Sequence, residues 1–557
     1  MAEMSGYRFI AKMLDGYGIT TVFHVPYILD GALVEMEKLG IRRVRCHSEK
    51  AAAYMADGYA RVSHGPGIAM AQSVGAANLA AGLQDAWLAG SPVIAMTGRW
   101  SPHYLYRQAY QEIDHRALYD PVTKFNAYVD DVEQLPFLLR QAFREATSGA
   151  PRPVHLDFLG LAGELASASK LEAEVTIESS FIRYPAFRPA PEPKRISEAA
   201  QRIAQAKRPV LVAGGGVTAS GAQAAIVHLA EKLSAPVVTS LNAKGTIPEN
   251  HPLSAGVMGT YSRKCANEII AEGDLIVFVG SHTGGQITHF WQVPRPGTPT
   301  IQIDLDPSQI GRNYPAEIAI QGDAQVTLEQ LIQAVKTVPK RPVWTARVRD
   351  LVEFWRQEFD GLLRSDSVPI RPERLCQEIT DFLPSDAILV SDTGHAGIWT
   401  GTMIEITSPE QSYLRCAGSL GWAFPAAMGA KCAAPGRPVI CFTGDGGFWY
   451  HLAELETAAR FGINTVTIIN NNRSFNQCRD GFEGAQGGRS EGSDDLWIFE
   501  DVDFAQVAKS MGCKGIRVED PEEIRSVLED AVVADLPVVI DVATDINAMA
   551  PTAYVPE

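Results

Sequence analysis

Val439-Ile-Cys-Phe-Thr-Gly-Asp-Gly-Gly447 and, further along, Thr465-Val-Thr-Ile-Ile-Asn-Asn-Asn472 are the stretches on which the fold of this chain turns. Each opens as a short apolar, β-branched run and ends in small or amide residues, the pattern of a buried strand handing over to a loop. Gly446 and Asn471 are separated by 24 residues, 447 to 470. The segment 451–460 between them reads as a helix, whose N-terminus favours an anion. Ligands of α/β sheets gather at the carboxyl ends of strands, and glycines such as Gly444, Gly446 and Gly447 let a backbone approach a phosphate closely. A hard cation such as Mg²⁺ takes oxygen ligands and commonly keeps phosphate oxygens among them. The Asp445 carboxylate, the Asn472 amide oxygen and the Ser474 backbone carbonyl would supply part of such a shell, with diphosphate oxygens and a water for the rest. Asp-Gly and Asn-Asn pairs also make plain turns. Both together, each after a strand, point to phosphate and metal.

Outward from these stretches, short β-rich runs alternate with helical patterns. The expected fold class is α/β: three doubly wound domains with mainly parallel sheets. Strands are expected at 21–23, 44–46, 68–71 and 93–97, then at 274–280 and 300–304 after a run opening at Pro209, and finally at 388–391, 439–443, 465–469 and 538–542. Ala51, Met55 and Tyr59 recur every four residues and set one face of a helix against the first sheet. Residues 167–193, acidic and then marked by Pro185, Pro189, Pro191 and Pro193, read as a linker. A weaker break spans 338–367. The domains are accordingly placed at 1–165, 190–340 and 365–557. Pro92-Val-Ile-Ala-Met-Thr-Gly98 and Pro438-Val-Ile-Cys-Phe-Thr-Gly444 share five of seven residue types, a hint that the outer domains share ancestry.

Composition narrows the function. A formal charge of −16 with no basic cluster excludes a nucleic-acid footprint. Apolar runs such as 275–279 are strand-sized, so no membrane span is expected. The N-terminus lacks a signal-peptide pattern, and its Phe9, Ile10, Met13 and Leu14 spacing predicts an amphipathic helix. The eight cysteines contain no Cys-x-x-Cys pair. Buried, reduced thiols are expected, in a cytoplasmic protein.

The Gly444-Asp445-Gly446…Asn471-Asn472 pattern resembles the thiamine-diphosphate signature of acetolactate synthases, pyruvate oxidases and 2-oxoacid decarboxylases. The likeness extends over nearly the whole chain, in the order pyrimidine-binding, middle and diphosphate-binding domain. It implies thiamine diphosphate and Mg²⁺ as cofactors. His47-Ser-Glu49-Lys-Ala-Ala-Ala-Tyr-Met-Ala-Asp-Gly-Tyr-Ala-Arg61 is similar to the family segment with the catalytic glutamate. Glu49 would share a proton with the aminopyrimidine ring and so favour the imino form that takes the C2 proton; a carboxyl in an apolar pocket suits that task. Arg415-Cys-Ala-Gly418-Ser419-Leu420-Gly421 resembles the segment that bends the cofactor, with Leu420 as the wedge and the Gly418 carbonyl accepting from N4′. Asp392, Gly394 and His395 match the loop on the diphosphate. Gly75, Asn78, Tyr110 and Gln111 match residues around the reacting carbon, and Gln111 is the candidate contact for intermediates. The likeness also implies a homodimer or homotetramer with the active site at the subunit interface.

Departures from the family pattern concern substrate and nucleotide. Gly214-Gly-Gly216 is a lone glycine turn, out of register with a dinucleotide fingerprint. Gly280-Ser-His-Thr-Gly-Gly-Gln286 replaces the Arg-Phe-Asp-Asp-Arg type of stretch of flavin-binding relatives, which puts FAD, or ADP, in the middle domain in doubt. Arg312 and Asn313 read as a turn. Gly481 stands where acetolactate synthases carry a tryptophan. Cys478, beside Gln477, stands where some decarboxylases and lyases carry a glutamate. His24, Tyr27 and Ile28 add bulk to a loop that is usually glycine-rich, and His24 is an acid–base candidate. Residues 480–495 form a glycine-rich, charged segment with the composition of a lid. The resulting expectation is a carbon–carbon lyase or carboligase, similar to acetolactate synthase, acting on a 2-oxoacid or 2-hydroxyacyl compound. The alternatives are a 2-hydroxyacyl-CoA lyase or oxalyl-CoA decarboxylase, and a flavin-linked pyruvate oxidase. A cofactor-binding regulator without turnover would not need Glu49.

Overall fold

Parallel strands buried on both faces need continuous apolar runs, and the β-rich segments supply them: Val93–Arg99 and Leu275–Val279 are buried throughout. The computed structural model describes residues 3–168, 170–336, 339–489 and 492–555. Ser169 of the expected linker, Val338 of the expected break, and Ser490 and Glu491 of the glycine-rich segment lie outside the described residues.

Three six-stranded parallel sheets form, one in each third of the chain, as the alternating pattern predicts. The first runs in the order Arg42–Arg45, Thr21–His24, Gly67–Ala71, Val93–Arg99, Val154–Leu159, Phe125–Val129. The third runs Ser412–Arg415, Ile388–Ser391, Val439–Gly444, Val466–Asn471, Val538–Ala543, Lys514–Val518. Numbered along the chain, both are 2-1-3-4-6-5, whereas the middle sheet is 3-2-1-4-5-6. The outer units thus share a topology, but the seven-residue echo does not carry it. Val93–Arg99 is the fourth strand of its sheet and Val439–Gly444 the third of its own, so the echo pairs non-equivalent strands.

In a 2-1-3 arrangement the chain direction of winding reverses between strands 1 and 3, and a crevice opens at their carboxyl ends. Asp392 follows strand 1 of the third sheet, and Asp445 sits where its strand 3 ends. His24 ends strand 1 of the first sheet, and Ser73 opens the helix after its strand 3.

Several local expectations shift. The strand expected at 465–469 runs as Val466–Asn471. The helix expected from 451 starts at Glu454, while a four-residue helix, Asp445–Phe448, opens on the glycine motif itself. The break at 338–367 is largely the helix Pro342–Leu363, which buries Trp344, Val348, Leu351 and Trp355 along one stripe. The stretch read as a linker is partly structured: Lys170–Glu172 pairs with Glu3–Ser5, Phe181 and Tyr184 are buried, and Pro193 starts a helix.

The outer units meet where helix Glu49–Ser63 crosses helix Ala423–Ala433. A Cβ on Gly58 would overlap the Ala426 carbonyl, and one on Gly429 the Met55 carbonyl. Backbone therefore touches backbone, which only glycine permits. Gly429→Ala should lower stability by about 1–3 kcal/mol or more through overpacking. Gly436→Ala, whose Cβ would enter open space, should stay within about 0.5 kcal/mol. Urea unfolding of the two variants checks the contrast.

Candidate functional site

A cavity of about 300 Å³ lies at the carboxyl ends of Ile388–Ser391, Val439–Gly444 and Val466–Asn471. Asp445, Asn472 and Ser474 line it together with Gly444, Gly446 and Gly447, so the two motifs quoted at the outset converge. Asp445 Oδ2 accepts from the Ser474 N–H at 2.8 Å, and Ser474 Oγ donates to Asn472 Oδ1 at 2.8 Å. The glycines are required by crowding: a Cβ on Gly446 would overlap the Phe475 ring, and one on Gly447 would lie 3.2 Å from the Asp392 carboxyl.

Burial lifts the Asp445 carboxyl from the ordinary carboxylate range to about 7, against the pull of the Gly446 and Ser474 N–H groups. No lysine or arginine among the described residues pairs with it. A buried carboxylate without a cationic partner, beside an amide oxygen, suits a hard cation. No cluster of three or more His, Cys, Asp or Glu side chains able to hold a metal occurs among the described residues. The donor set therefore fits a cation that draws its remaining oxygens from a bound phosphate.

Leu420, Gly394, His395, Gln477 and Cys478 also line this cavity. Gly394 has φ +69°, a left-handed conformation that favours glycine. Burial and the nearby Arg479 hold His395 down at about 4, so its ring is neutral near pH 7. Asp392 does not face the cavity. Its carboxylate accepts from the N–H groups of Thr393, Gly421 and Ala423 and from Thr443 Oγ1. An anion committed in this way braces the loops from behind and is unsuited to touch a diphosphate. Gly418 and Ser419 likewise lie outside the lining.

Glu49 opens its helix, and the cap is not the local one. Ser48 makes no side-chain capping bond; instead buried Glu454, from the third unit, accepts the N–H groups of His47 and Ser48 at 3.0 and 3.1 Å. Asn78 Nδ2 donates to Glu49 Oε2 at 3.2 Å, and a Cβ on Gly75 would come within 2.5 Å of Glu49 Oε1. Glu49, Gly75 and Asn78 thus form one group. Gln111 has φ +62°, its carbonyl accepts from Ser73 Oγ at 2.7 Å, and its side-chain Oε1 is buried without a partner. Such an outlier suggests a functional constraint. Tyr110 is exposed. His24 is buried and held at about 4 by desolvation and by Arg43, Arg45 and Arg460, so near pH 7 it is neutral and no ready acid. Tyr27 is half exposed, but Ile28 lies in the core of the first unit and adds no bulk to a pocket. Within one chain none of these first-unit residues lines the Asp445 cavity.

Six lining residues escaped the sequence reading. Thr393, Ala396, Asn470, Phe475 and Asn476 adjoin the motifs and were open to inference from contiguity. Tyr261 comes from the middle unit, accepts from Gln477 Nε2 at 3.4 Å, and has no local signal. Tyr261 also lines a second cavity, of about 420 Å³, with Gly214–Gly216, Gly280–Gln286 and Arg415. There a Cβ on Gly216 would meet Gly280 Cα at 2.7 Å, so the glycine turn is consumed by packing on a neighbouring loop. Asn313 Nδ2 donates at 3.0 Å to the carbonyl of His282, a residue of the 280–286 stretch. Residues 479–486 form a helix, Arg479–Gln486, within the segment read as a lid. Seven cysteines are buried and Cys478 is exposed. No helix among the described residues is long and apolar enough to cross a membrane.

Comparison with known proteins finds three matching family descriptions: the N-terminal TPP-binding domain of thiamine pyrophosphate enzymes over residues 4–118, their central domain over 196–331, and their C-terminal TPP-binding domain over 392–542. The chain is 32% identical to a probable acetolactate synthase large subunit of Methanocaldococcus jannaschii, covering 97% of this chain and 92% of that protein. It is 31% identical to the acetolactate synthase isozyme 1 large subunit of Escherichia coli K12, covering 85% and 82%. It is 29% identical to a glyoxylate carboligase of Escherichia coli O157:H7, covering 95% and 91%.

The raised Asp445 pKa has a stability consequence. The folded chain holds a proton there from about pH 4, where the unfolded carboxyl ionises, up to about 7. Wild-type stability is therefore drawn down as pH rises through that window, and the penalty is complete above it. In metal-free buffer Asp445→Asn should be more stable than wild type by up to about 4 kcal/mol at pH 8, with the gain vanishing toward pH 4. Urea unfolding in the presence of a chelator measures it.

Proposed function

Because the chain belongs to the thiamine pyrophosphate enzyme family and is a thiamine-diphosphate-dependent enzyme related to the acetolactate synthases, we propose that it makes or breaks a carbon–carbon bond next to a carbonyl, as a lyase or carboligase acting on a 2-oxoacid or 2-hydroxyacyl substrate. The observation that carries this reading is the convergence of Asp445, Asn472 and Ser474 on one cavity with Leu420 in its wall. Asp445, Asn472 and the Ser474 carbonyl would hold Mg²⁺ against a diphosphate, with the Gly444–Gly447 turn close to it. When bound, thiamine diphosphate supplies a carbanion at C2 that adds to a carbonyl carbon. Glu49 would share a proton with N1′ of the aminopyrimidine, with Asn78 donating to its Oε2 and Gly75 leaving room beside its Oε1. Gln111 would accept hydrogen bonds from groups on the reacting carbon, a role supported by its unpartnered, buried Oε1. His24, neutral, serves as a hydrogen-bond partner or base rather than as the acid.

The separation of the Glu49 group from the Asp445 cavity within one chain supports a homodimer or homotetramer, with Glu49 of one copy completing the cavity of another. A 2-hydroxyacyl-CoA lyase or oxalyl-CoA decarboxylase is the second reading, favoured by one observation: Tyr261 lines both cavities, which gives a long substrate room to extend. A flavin-linked oxidase is disfavoured, because the residues of the middle cavity do not fit FAD. Gly214 and Gly216 pack against Gly280, and 280–286 offers His282 and Gln286 in a stretch that resembles the arginine-bearing one of flavin-binding relatives.

Glu49→Gln should cut turnover about 10²- to 10⁴-fold while circular dichroism and cofactor affinity stay near wild type; near-normal turnover would remove Glu49 from its role. Asp445→Ala should weaken Mg²⁺ and cofactor retention in calorimetry. With added cofactor and Mg²⁺, a panel of 2-oxoacids, benzoin-type ketols and 2-hydroxyacyl-CoA thioesters separates the readings. Flavin absorption in the purified protein would revive the oxidase.

A further inference from the structure

Loop 415–421 carries two groups that the family resemblance gives to the cofactor, the Gly418 carbonyl and the Leu420 side chain, and it is hydrogen-bonded heavily to the first unit. Asp85, on helix Ser73–Ala89 and fully buried, accepts from three successive backbone N–H groups. Ala417 N lies 2.8 and 3.0 Å from its two oxygens, Gly418 N at 3.2 Å and Ser419 N at 3.0 Å. The neighbouring Gln84 Nε2 donates to Ser419 Oγ at 3.3 Å, and Arg61 Nη1 donates to the Arg415 carbonyl at 2.7 Å.

Resting on the thiamine-diphosphate reading above, we infer that Asp85 is a positioning residue that aims the Gly418 carbonyl at the aminopyrimidine. In a trans peptide the Gly418 carbonyl and the Ser419 N–H point in opposite directions. By drawing the Ser419 N–H toward the first unit's helix, Asp85 turns the Gly418 carbonyl the other way. That carbonyl accepts no hydrogen bond among the described residues, so it is free to meet a donor on a ligand. Hydrogen bonds to an ionised carboxylate are stronger than neutral ones, and three on one residue leave the loop little rotational freedom. All three N–H groups converge on Oδ2, so an asparagine oxygen in that place would still accept them, and only removal of the acceptor releases the loop.

Asp85 also lies 3.4 Å from Arg61, which raises the competing account that it merely balances a buried charge. Arg61 is already paired with Asp57 through two bonds at 2.8 and 2.7 Å, so Asp85 is not its only counter-charge. The two accounts differ in what they move. Balancing charge alters stability; aiming the carbonyl alters how readily the bound cofactor loses its C2 proton.

The experiment measures C2 hydrogen–deuterium exchange of thiamine diphosphate by NMR, with Mg²⁺, on fully loaded enzyme well below the unfolding midpoint. Cofactor affinity is measured separately by calorimetry. For Asp85→Ala, which removes the acceptor, exchange about 100-fold slower is expected, the scale of a small misplacement in an active site, with affinity within about threefold of wild type. Exchange less than tenfold slower, whatever the unfolding midpoint does, would overturn the inference. So would a loss confined to affinity. Should the Ala variant not fold, Asp85→Glu keeps the charge beside Arg61 while displacing the carboxylate by one methylene, and the same tenfold criterion applies. Wild-type enzyme that does not accelerate exchange at all would instead sink the thiamine-diphosphate reading, a separate result.

Discussion

The contact between helix Glu49–Ser63 and helix Ala423–Ala433 governs how the outer units sit on each other. At Gly58 and Gly429 there is no side chain to act as a spacer, so the helices approach at backbone distance. Around this dry crossing lies a buried polar cluster. Asp57 pairs with Arg61, Trp422 Nε1 donates to Asp57 at 2.9 Å, and the Arg61 guanidinium lies over the Trp422 ring. Buried charges are tolerated only when paired and hydrogen-bonded, so the crossing has one register that satisfies both packing and charge.

That register transmits to the functional groups at either end. Helix Glu49–Ser63 begins with Glu49, and its cap comes from Glu454 across the boundary between units. Helix Ala423–Ala433 follows directly on the loop that carries Gly418 and Leu420. Asp392 ties that loop to the strand end beside it through the Gly421 and Ala423 N–H groups, and Asp85 ties it to the first unit. The outer units are therefore not independent carriers of two half-sites. Each holds part of the other's machinery in place, although the half-sites in one chain do not share a cavity.

Several sites were legible as linear pattern. Asp445 and Asn472 each follow a strand, and strand ends in parallel sheets are brought together by the winding of the chain, so their meeting followed from spacing and residue type. Glu49 was legible for the same reason, at the start of a helix with a clear apolar face. Asp392 is less legible, since an acid at a strand end reads alike whether it faces a ligand or braces a loop. Only its partners, Thr393, Gly421, Ala423 and Thr443, decide. Ile28 illustrates the same ambiguity for apolar residues, because a bulky side chain in a loop points to the pocket or the core according to backbone geometry that one sequence does not display. The helix Pro342–Leu363 was readable in the spacing of Trp344, Val348, Leu351 and Trp355, but charged neighbours masked its stripe.

By itself the sequence determined the three α/β units and their parallel sheets, and it singled out the Asp445 and Asn472 strand ends and Glu49 as candidates. Those features depend on local periodicity and on residues adjacent to strand ends. Tertiary structure alone decided that Tyr261 reaches the Asp445 cavity from the middle unit, that Glu454 caps the helix of Glu49, and that Asp85 holds the loop of Gly418. Each of these is a contact between separate units and between residues more than 200 positions apart. Hydrogen-bond direction and burial across such distances arise only when the helices have already packed.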